Sequence, residues 1–466
     1  MRRFLTLLAA VVVVAVPLHA AVTYADALTP PETMAPTVLV GLFWADEVSL
    51  TCRGPFLVEF SSGSSSYGAN SVVKFRANGN KVLKETSGGT VTEEGAVEVS
   101  PAQKQSGAYI TVQSHTGADT PTAGLYFEGS ILVMAQDGRL CVANLVDVES
   151  YVRSVVSSEM PDGWPVEALK AQAVAVRSYL AYKVKMTNTP GLGLPVSGYR
   201  SVTPGSICIW ATDQVYKGVS VQRPNAVAAS QATRGQILTY GGLPAAAYFH
   251  AASEGKTENV RNVWGGNVPY LVSVDEIPYE SPYHSWSVSF SGDSLGLLLA
   301  PLGVSGSCVS LEGCDPGDSG RWGGITVCTG SGEVWVKGTD FRKVLGQPLR
   351  SLLFSVYTVG GGKNASGCVN PGMPVWVAGK EQVTNETAGE LFLQGGGGII
   401  SKGTSGLSVL SGTVSDGPVT FVFEGKGWGH GVGMSQWGAR ALALAGADYP
   451  AILNRYFPGT ALELWW

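Results

Sequence analysis

The chain is 466 residues long, 14% charged and 45% apolar, with a formal net charge of −5; that length suits two or three domains of the usual ~100 to 200 residues. No basic run is present, which excludes a nucleic acid held through its phosphates as the partner. The 12 Trp and 17 Tyr fit an uncharged polymer better, because aromatic faces pack on sugar rings.

Met1-Arg2-Arg3, an apolar run from Phe4 to Leu18 and the small-x-small site Ala25-Asp26-Ala27 predict an export signal over 1–27. The run is shorter than the ~20 residues a membrane-crossing helix needs. The mature chain is therefore expected outside the cytoplasmic membrane, secreted and wall-associated; an uncleaved signal would make it membrane-anchored. All seven cysteines lie beyond the signal, an odd number that allows up to three disulfides and leaves one thiol. No C-x-x-C pair occurs, so a structural zinc of the usual spacing is not expected.

Residues 28–36 read as a proline-bearing linker. From 37 to 145, runs such as Thr37-Val38-Leu39-Val40 and Tyr109-Ile110-Thr111-Val112 alternate with Gly/Ser clusters and predict a strand-rich N-terminal part. Residues 146–466 form the larger mixed part. It opens with a predicted helix from Asp147 to Ser157. A break follows at Pro161-Asp162-Gly163, then the clearest helix, Pro165 to Lys185, with proline in its first turn and Glu167 complementing the N-terminal dipole. Leu169, Ala173, Val176 and Leu180 form its buried stripe.

Glu159 stands at the junction of these helices, hemmed by Met160, Pro161 and Trp164. A carboxyl held there is partly desolvated, which raises its pKa toward use as a general acid; the alternative is a helix-end carboxylate in water. Arg177 lies at the edge of the apolar stripe. It either snorkels to solvent or reaches back to orient Glu159 or a substrate hydroxyl.

Residues 190–206 are Gly/Pro/Ser-rich and read as a loop. Strand signals return at Ile237 to Tyr240 and Ala245 to His250, where His250 ends an apolar run before the small-residue loop containing Ser253. His284 and Trp286 form a weaker polar and aromatic pair. Cys308, Cys314 and Cys328 cluster in a segment near 304–330 that reads as a disulfide-braced excursion. The tetraglycine Gly395 to Gly398 marks a turn or mobile loop.

Thr420 to Phe423 predicts a strand feeding Gly425 to Gly446, where glycines alternate with bulky or polar residues before a helix from Met434 to Ala445. Alternating glycine permits positive φ and close backbone approach. This segment reads as one wall of a binding groove, with Trp428, His430 and Gln436 free to stack or hydrogen-bond. The dinucleotide pattern G-x-G-x-x-G is not matched from any of its glycines.

Four segments together resemble the stage II sporulation protein D family (SpoIID/LytB). They are Val148-Glu149-Ser150-Tyr151-Val152 through Glu159-Met160-Pro161; Glu167-Ala168-Leu169-Lys170-Ala171-Gln172-Ala173-Val174-Ala175-Val176-Arg177-Ser178-Tyr179; Tyr248-Phe249-His250-Ala251-Ala252-Ser253; and Gly427-Trp428-Gly429-His430-Gly431-Val432-Gly433-Met434-Ser435-Gln436. The resemblance implies an α+β fold enclosing a glycan-binding groove and a lytic transglycosylase that cuts the MurNAc–GlcNAc bond of peptidoglycan. Glu159 falls on the family's catalytic glutamate and Arg177 on an arginine of the same site; His250, Ser253, Trp428, His430 and Gln436 are the expected substrate contacts. The alternative is a wall-binding enhancer of an N-acetylmuramoyl-L-alanine amidase, with the amidase as partner. Some family members hold zinc through a Cys/His cluster, of which only Cys208 and His250 remain here, so neither metal nor cofactor is expected. A Cys208/His250 nucleophilic pair would lack an orienting third residue.

Overall fold

The computed structural model describes residues 36–86, 89–103, 107–120, 122–187, 202–359, 366–368, 375–376, 382–383, 399–403, 406–410 and 419–466. The export signal, the linker up to Ala35, the loop as far as Ser201 and the tetraglycine fall outside the described residues. The chain is α+β.

Period-two alternation carries the first part. Residues 37–147 fold into strands of two sheets, one of seven strands that runs from Gly63–Tyr67 to the short parallel strand Ile209–Trp210, the other of six. Their inner faces share one core through Phe56, Phe75, Val112 and Val133, and the same core continues beneath the helices through Val152, Leu169 and Val176.

The strand Arg139–Asp147 leads directly into α1 (Val148–Glu159). Asp147 caps this helix, its Oδ1 accepting from the amides of Glu149 at 2.8 Å and Ser150 at 3.1 Å; such a cap contributes about 0.5–2 kcal/mol. Pro161 pushes Met160 into the extended region, φ −125° and ψ 141°, so α1 ends at Glu159. After the turn comes α2 (Val166–Thr187), whose predicted stripe of Leu169, Ala173, Val176 and Leu180 is buried. Packed around it are α3 (Pro224–Ala232) and, from the far end of the chain, α7 (Gln436–Leu444) and α8 (Tyr449–Tyr456). A single turn, α4 (Val260–Val263), lies between.

A second core holds the remainder. Strands Trp286–Ser291 and Phe354–Val359 flank Thr420–Gly425, and α5 (Gly292–Leu299) and α6 (Gly338–Leu345) cover Phe354, Phe421 and Phe423.

Two expectations differ from the structure. Ala245 to Tyr248 is not strand; only Phe249–His250 is, because small Ala245, Ala246 and Ala247 fit as buried irregular backbone, with Ala245 N–H bonded to Leu238. The cysteine-bearing segment is not braced by disulfides: Cys52, Cys141, Cys208, Cys308, Cys314 and Cys328 are all free thiols. Its strands Cys308–Pro316, Trp322–Thr329 and Gly332–Lys337 are held by ladder hydrogen bonds and by Leu311, Ile325 and Val327 in the second core.

Candidate active site

Three distant segments meet at Glu159. Its carboxyl ends α1, and Oε1 accepts from the amide of Val215 at 2.9 Å. Gln436, first residue of α7, lies with its amide against the same carboxyl, close enough to favour the ionised form. Its Nε2 falls short of a formed hydrogen bond and is buried without a partner. Burial nevertheless raises the Glu159 pKa above the usual glutamate range, outweighing the Val215 amide, Gln436 and the charge of Lys217. The negative end of α1 acts in the same direction. The rise thus comes from burial, the largest of its causes.

Close in sequence to Glu159 and Gln436 is an aromatic and cationic cluster. Trp164 and Trp437 meet edge to face at 4.9 Å, and the Arg440 guanidinium sits over both rings, at 5.8 and 5.2 Å. Sequence reading missed this group; its signal is the Gln436, Trp437, Arg440 spacing, which puts the glutamine and arginine on one helix face.

The glycine-rich segment runs parallel to the Tyr-Phe-His stretch, Phe249 opposite Met434 and His250 opposite Ser435. Gly427, Gly429, Gly431 and Gly433 all take positive φ, 73°, 113°, 85° and 73°. Close approach explains why: a Cβ on Gly433 would fall 2.2 Å from the Tyr248 carbonyl oxygen, and one on Gly431 2.8 Å from Arg321 Nε. Arg321 is buried beneath this segment, donating to the carbonyls of Lys256 and Ser253. The cysteine-bearing excursion therefore delivers a side chain to the site region, which no pattern in the sequence marks.

His250 and His430 face each other at 5.5 Å between ring centroids. The His250 Nδ1–H donates to the Val432 carbonyl, leaving Nε2 to accept from the Ser253 hydroxyl at 2.9 Å. His430 accepts the Val432 amide on Nδ1 and lies 4.9 Å from the exposed Trp264 ring. Burial lowers both pKa values, with each other's neighbourhood of Arg321 and Arg342 adding to it, His430 to about 3 and His250 well below its ordinary value. Both are neutral imidazoles. Ser253 is fully buried.

Arg177 is neither snorkelled nor turned to Glu159. It is 0% exposed, and its Nε and Nη2 grip Glu149 at 2.9 and 2.8 Å, with Nη2 also reaching the Ser230 carbonyl at 2.7 Å. Glu149 further accepts from the Gly235 amide and the Trp466 indole. The overlooked signal was an acid on the buried stripe of α1, at Glu149, Val152 and Val156. Trp428 also stands apart: its ring meets Tyr283 at 4.8 Å beneath Arg350. In the weaker pair, His284 bonds Glu254 and the Trp286 indole donates to the Gly427 carbonyl.

The residues do not fit a family-type zinc. Both His250 nitrogens are taken within the protein, burial pushes the Cys208 thiol up to about 11, and no three His, Cys, Asp or Glu converge among the described residues. The same raised pKa leaves Cys208 inert as a nucleophile. Among the described residues no helix is long and apolar enough to cross a membrane.

The family model described as "Stage II sporulation protein", SpoIID, matches residues 136–240. Stage II sporulation protein D of Bacillus subtilis is 27% identical over 334 residues, 68% of this chain and 75% of that one. The chain belongs to the SpoIID family. The SpoIID match contains Glu159, Arg177 and Val215 and stops short of His250 and Gln436. The amidase enhancer of Bacillus subtilis is 30% identical over 324 residues, 67% of this chain but 40% of its own length. An uncharacterised protein of Brachyspira hyodysenteriae is 28% identical over 339 residues, 72% of each chain.

Proposed function

We propose that this chain is an extracytoplasmic lytic transglycosylase that cuts the MurNAc–GlcNAc bond of peptidoglycan glycan strands in a groove around Glu159. The observation that carries the reading is a carboxyl at the end of α1 whose pKa is raised by burial, held by the Val215 amide and lying against the Gln436 amide. Hydrolytic glycosidases need two carboxylates, about 5–5.5 Å apart for retention and about 6.5–9.5 Å for inversion. One suffices when the sugar supplies its own nucleophile.

Protonated Glu159 gives its proton to the glycosidic oxygen as the bond from that oxygen to C1 of MurNAc breaks, releasing the GlcNAc hydroxyl. The carboxylate then removes the proton from the 6-hydroxyl of the same MurNAc, whose oxygen bonds to C1. The products are a 1,6-anhydro end and a free 4-hydroxyl end, with no water consumed and Glu159 protonated again. The Val215 amide fixes one oxygen and leaves the other to work, and the Gln436 amide against the carboxyl favours its ionised form for the second step. Arg177, His250 and Ser253 act as positioning residues, while His430 and Trp428 contribute to the groove wall.

Purified protein and its Glu159→Gln variant are incubated with glycan strands, and products are read by mass spectrometry. Anhydro ends from the wild type alone support the reading. The likeness to an amidase enhancer favours a second one, glycan binding that stimulates an amidase without cutting; binding by both forms with no cleavage by either selects it.

A further inference from the structure

The Trp164, Trp437 and Arg440 cluster is not used by the chemistry above, although its members follow Glu159 and Gln436 closely in the chain. Trp164 follows Glu159 across the Pro161 turn, and Trp437 follows Gln436 on α7. Arg440 lies one helical turn beyond Gln436 on the same face. All three side chains are partly exposed.

What distinguishes Arg440 is its charge balance. No carboxylate among the described residues forms an ion pair with it, and its neighbours are two indole rings. Lys217, whose charge reaches Glu159, likewise has no ion-pair partner among these residues. Arg440 and Lys217 are thus two cations without ion-pair partners among the described residues, in a chain whose formal net charge is −5. A guanidinium whose neighbours are indole rings rather than carboxylates has N–H groups available in the fork geometry that matches a carboxylate.

We propose that Arg440, lying over the rings of Trp164 and Trp437, is the subsite that reads a carboxylate carried on the 3-substituent of the sugar bound next to Glu159. The inference rests on the glycan-cleaving reading of Glu159. The carboxylate has two chemical sources, the free lactyl acid of a muramyl residue or an acid within an attached stem peptide.

The test measures affinities in a Glu159→Gln background, where bound strands are not consumed. The probes are a neutral chito-oligosaccharide, a muramyl oligosaccharide with free lactyl acids, and the same oligosaccharide bearing stem peptides. The expected result is that Arg440→Gln lowers the ratio of carboxylated to neutral affinity about tenfold and that Arg440→Lys restores part of it, as a charge-assisted contact requires. The probe that loses affinity identifies the source of the acid. An unchanged ratio, or an equal loss on neutral and carboxylated probes, overturns the proposal and leaves the rings as simple packing. Cleavage by the wild type is scored separately: if it cuts strands while the ratio is unmoved, only the Arg440 inference fails. If Glu159→Gln binds no probe and the wild type cuts nothing, the glycan reading fails and takes this inference with it.

Discussion

Glu149 and Arg177 meet as a two-bond fork, Oε1 to Nε at 2.9 Å and Oε2 to Nη2 at 2.8 Å, that ties α1 to α2 inside the protein. Removing one partner leaves the other charged and buried, which costs about 3–5 kcal/mol. Arg177→Ala should therefore destabilise the chain by that order, read by denaturant unfolding. Arg177→Lys should recover little, since an ammonium cannot reproduce the fork. Unchanged stability in Arg177→Ala would contradict the role of this fork as a buried tie between α1 and α2.

The same pair sets an acid limit. Burial pushes the Glu149 pKa up, but Arg177 and the surrounding donors hold it below the ordinary glutamate value. A depressed carboxyl contributes stability that is complete above its unfolded pKa and is lost as pH falls through the folded one. Stability should fall below about pH 4.3, and this component should be missing in Glu149→Gln.

His250 and His430 add a slope in a different window. Both are held neutral when folded, His430 down to about pH 3. The unfolded chain takes up these protons below about pH 6.5, so stability declines as pH falls from there, by at most about 1.4 kcal/mol per pH unit for each ring. NMR titration should show both imidazoles unchanged between pH 8 and pH 5; a His430 that titrates in that range would contradict its lowered pKa.

For catalysis the expected signature is an alkaline limb. The proposed reaction begins from protonated Glu159, so activity should persist above the ordinary glutamate pKa of about 4.3 and fall as its raised pKa is passed. Glu159→Gln should abolish cleavage. Lys217→Ala, which removes a charge favouring the carboxylate, should move the limb to higher pH.

Glycine substitutions separate conformation from space. Gly446, φ 94°, has nothing within 4 Å of an added Cβ, so Gly446→Ala should cost about 1 kcal/mol from backbone strain alone. At Gly433 the Cβ meets the Tyr248 carbonyl oxygen at 2.2 Å. Gly433→Ala should cost several-fold more in unfolding experiments and displace Gln436 from Glu159.

Local chemistry was the legible part. The Asp147 cap, the Pro161 stop and the α2 stripe are properties of neighbouring residues, so the helices around Glu159 could be read directly. Glycines with positive φ were equally foreseeable, whereas the Arg321 beneath them comes from a strand meander whose cysteines drew attention to themselves. Arg177 was misjudged because a helix shows which face is buried but not what lies opposite. Its partner Glu149 is set by the crossing of α1 and α2, and tertiary packing of that kind leaves no short-range trace.

The pairing of His250 with Ser435 carries a temporal implication. Glu159, Val215 and the Tyr-Phe-His stretch are made well before Gln436, which reaches the carboxyl only after the glycine-rich segment docks alongside Phe249. Contacts this far apart in the chain close late and slowly. A growing chain thus carries Glu159 without the Gln436 amide beside it until the glycine-rich segment has been made and docked.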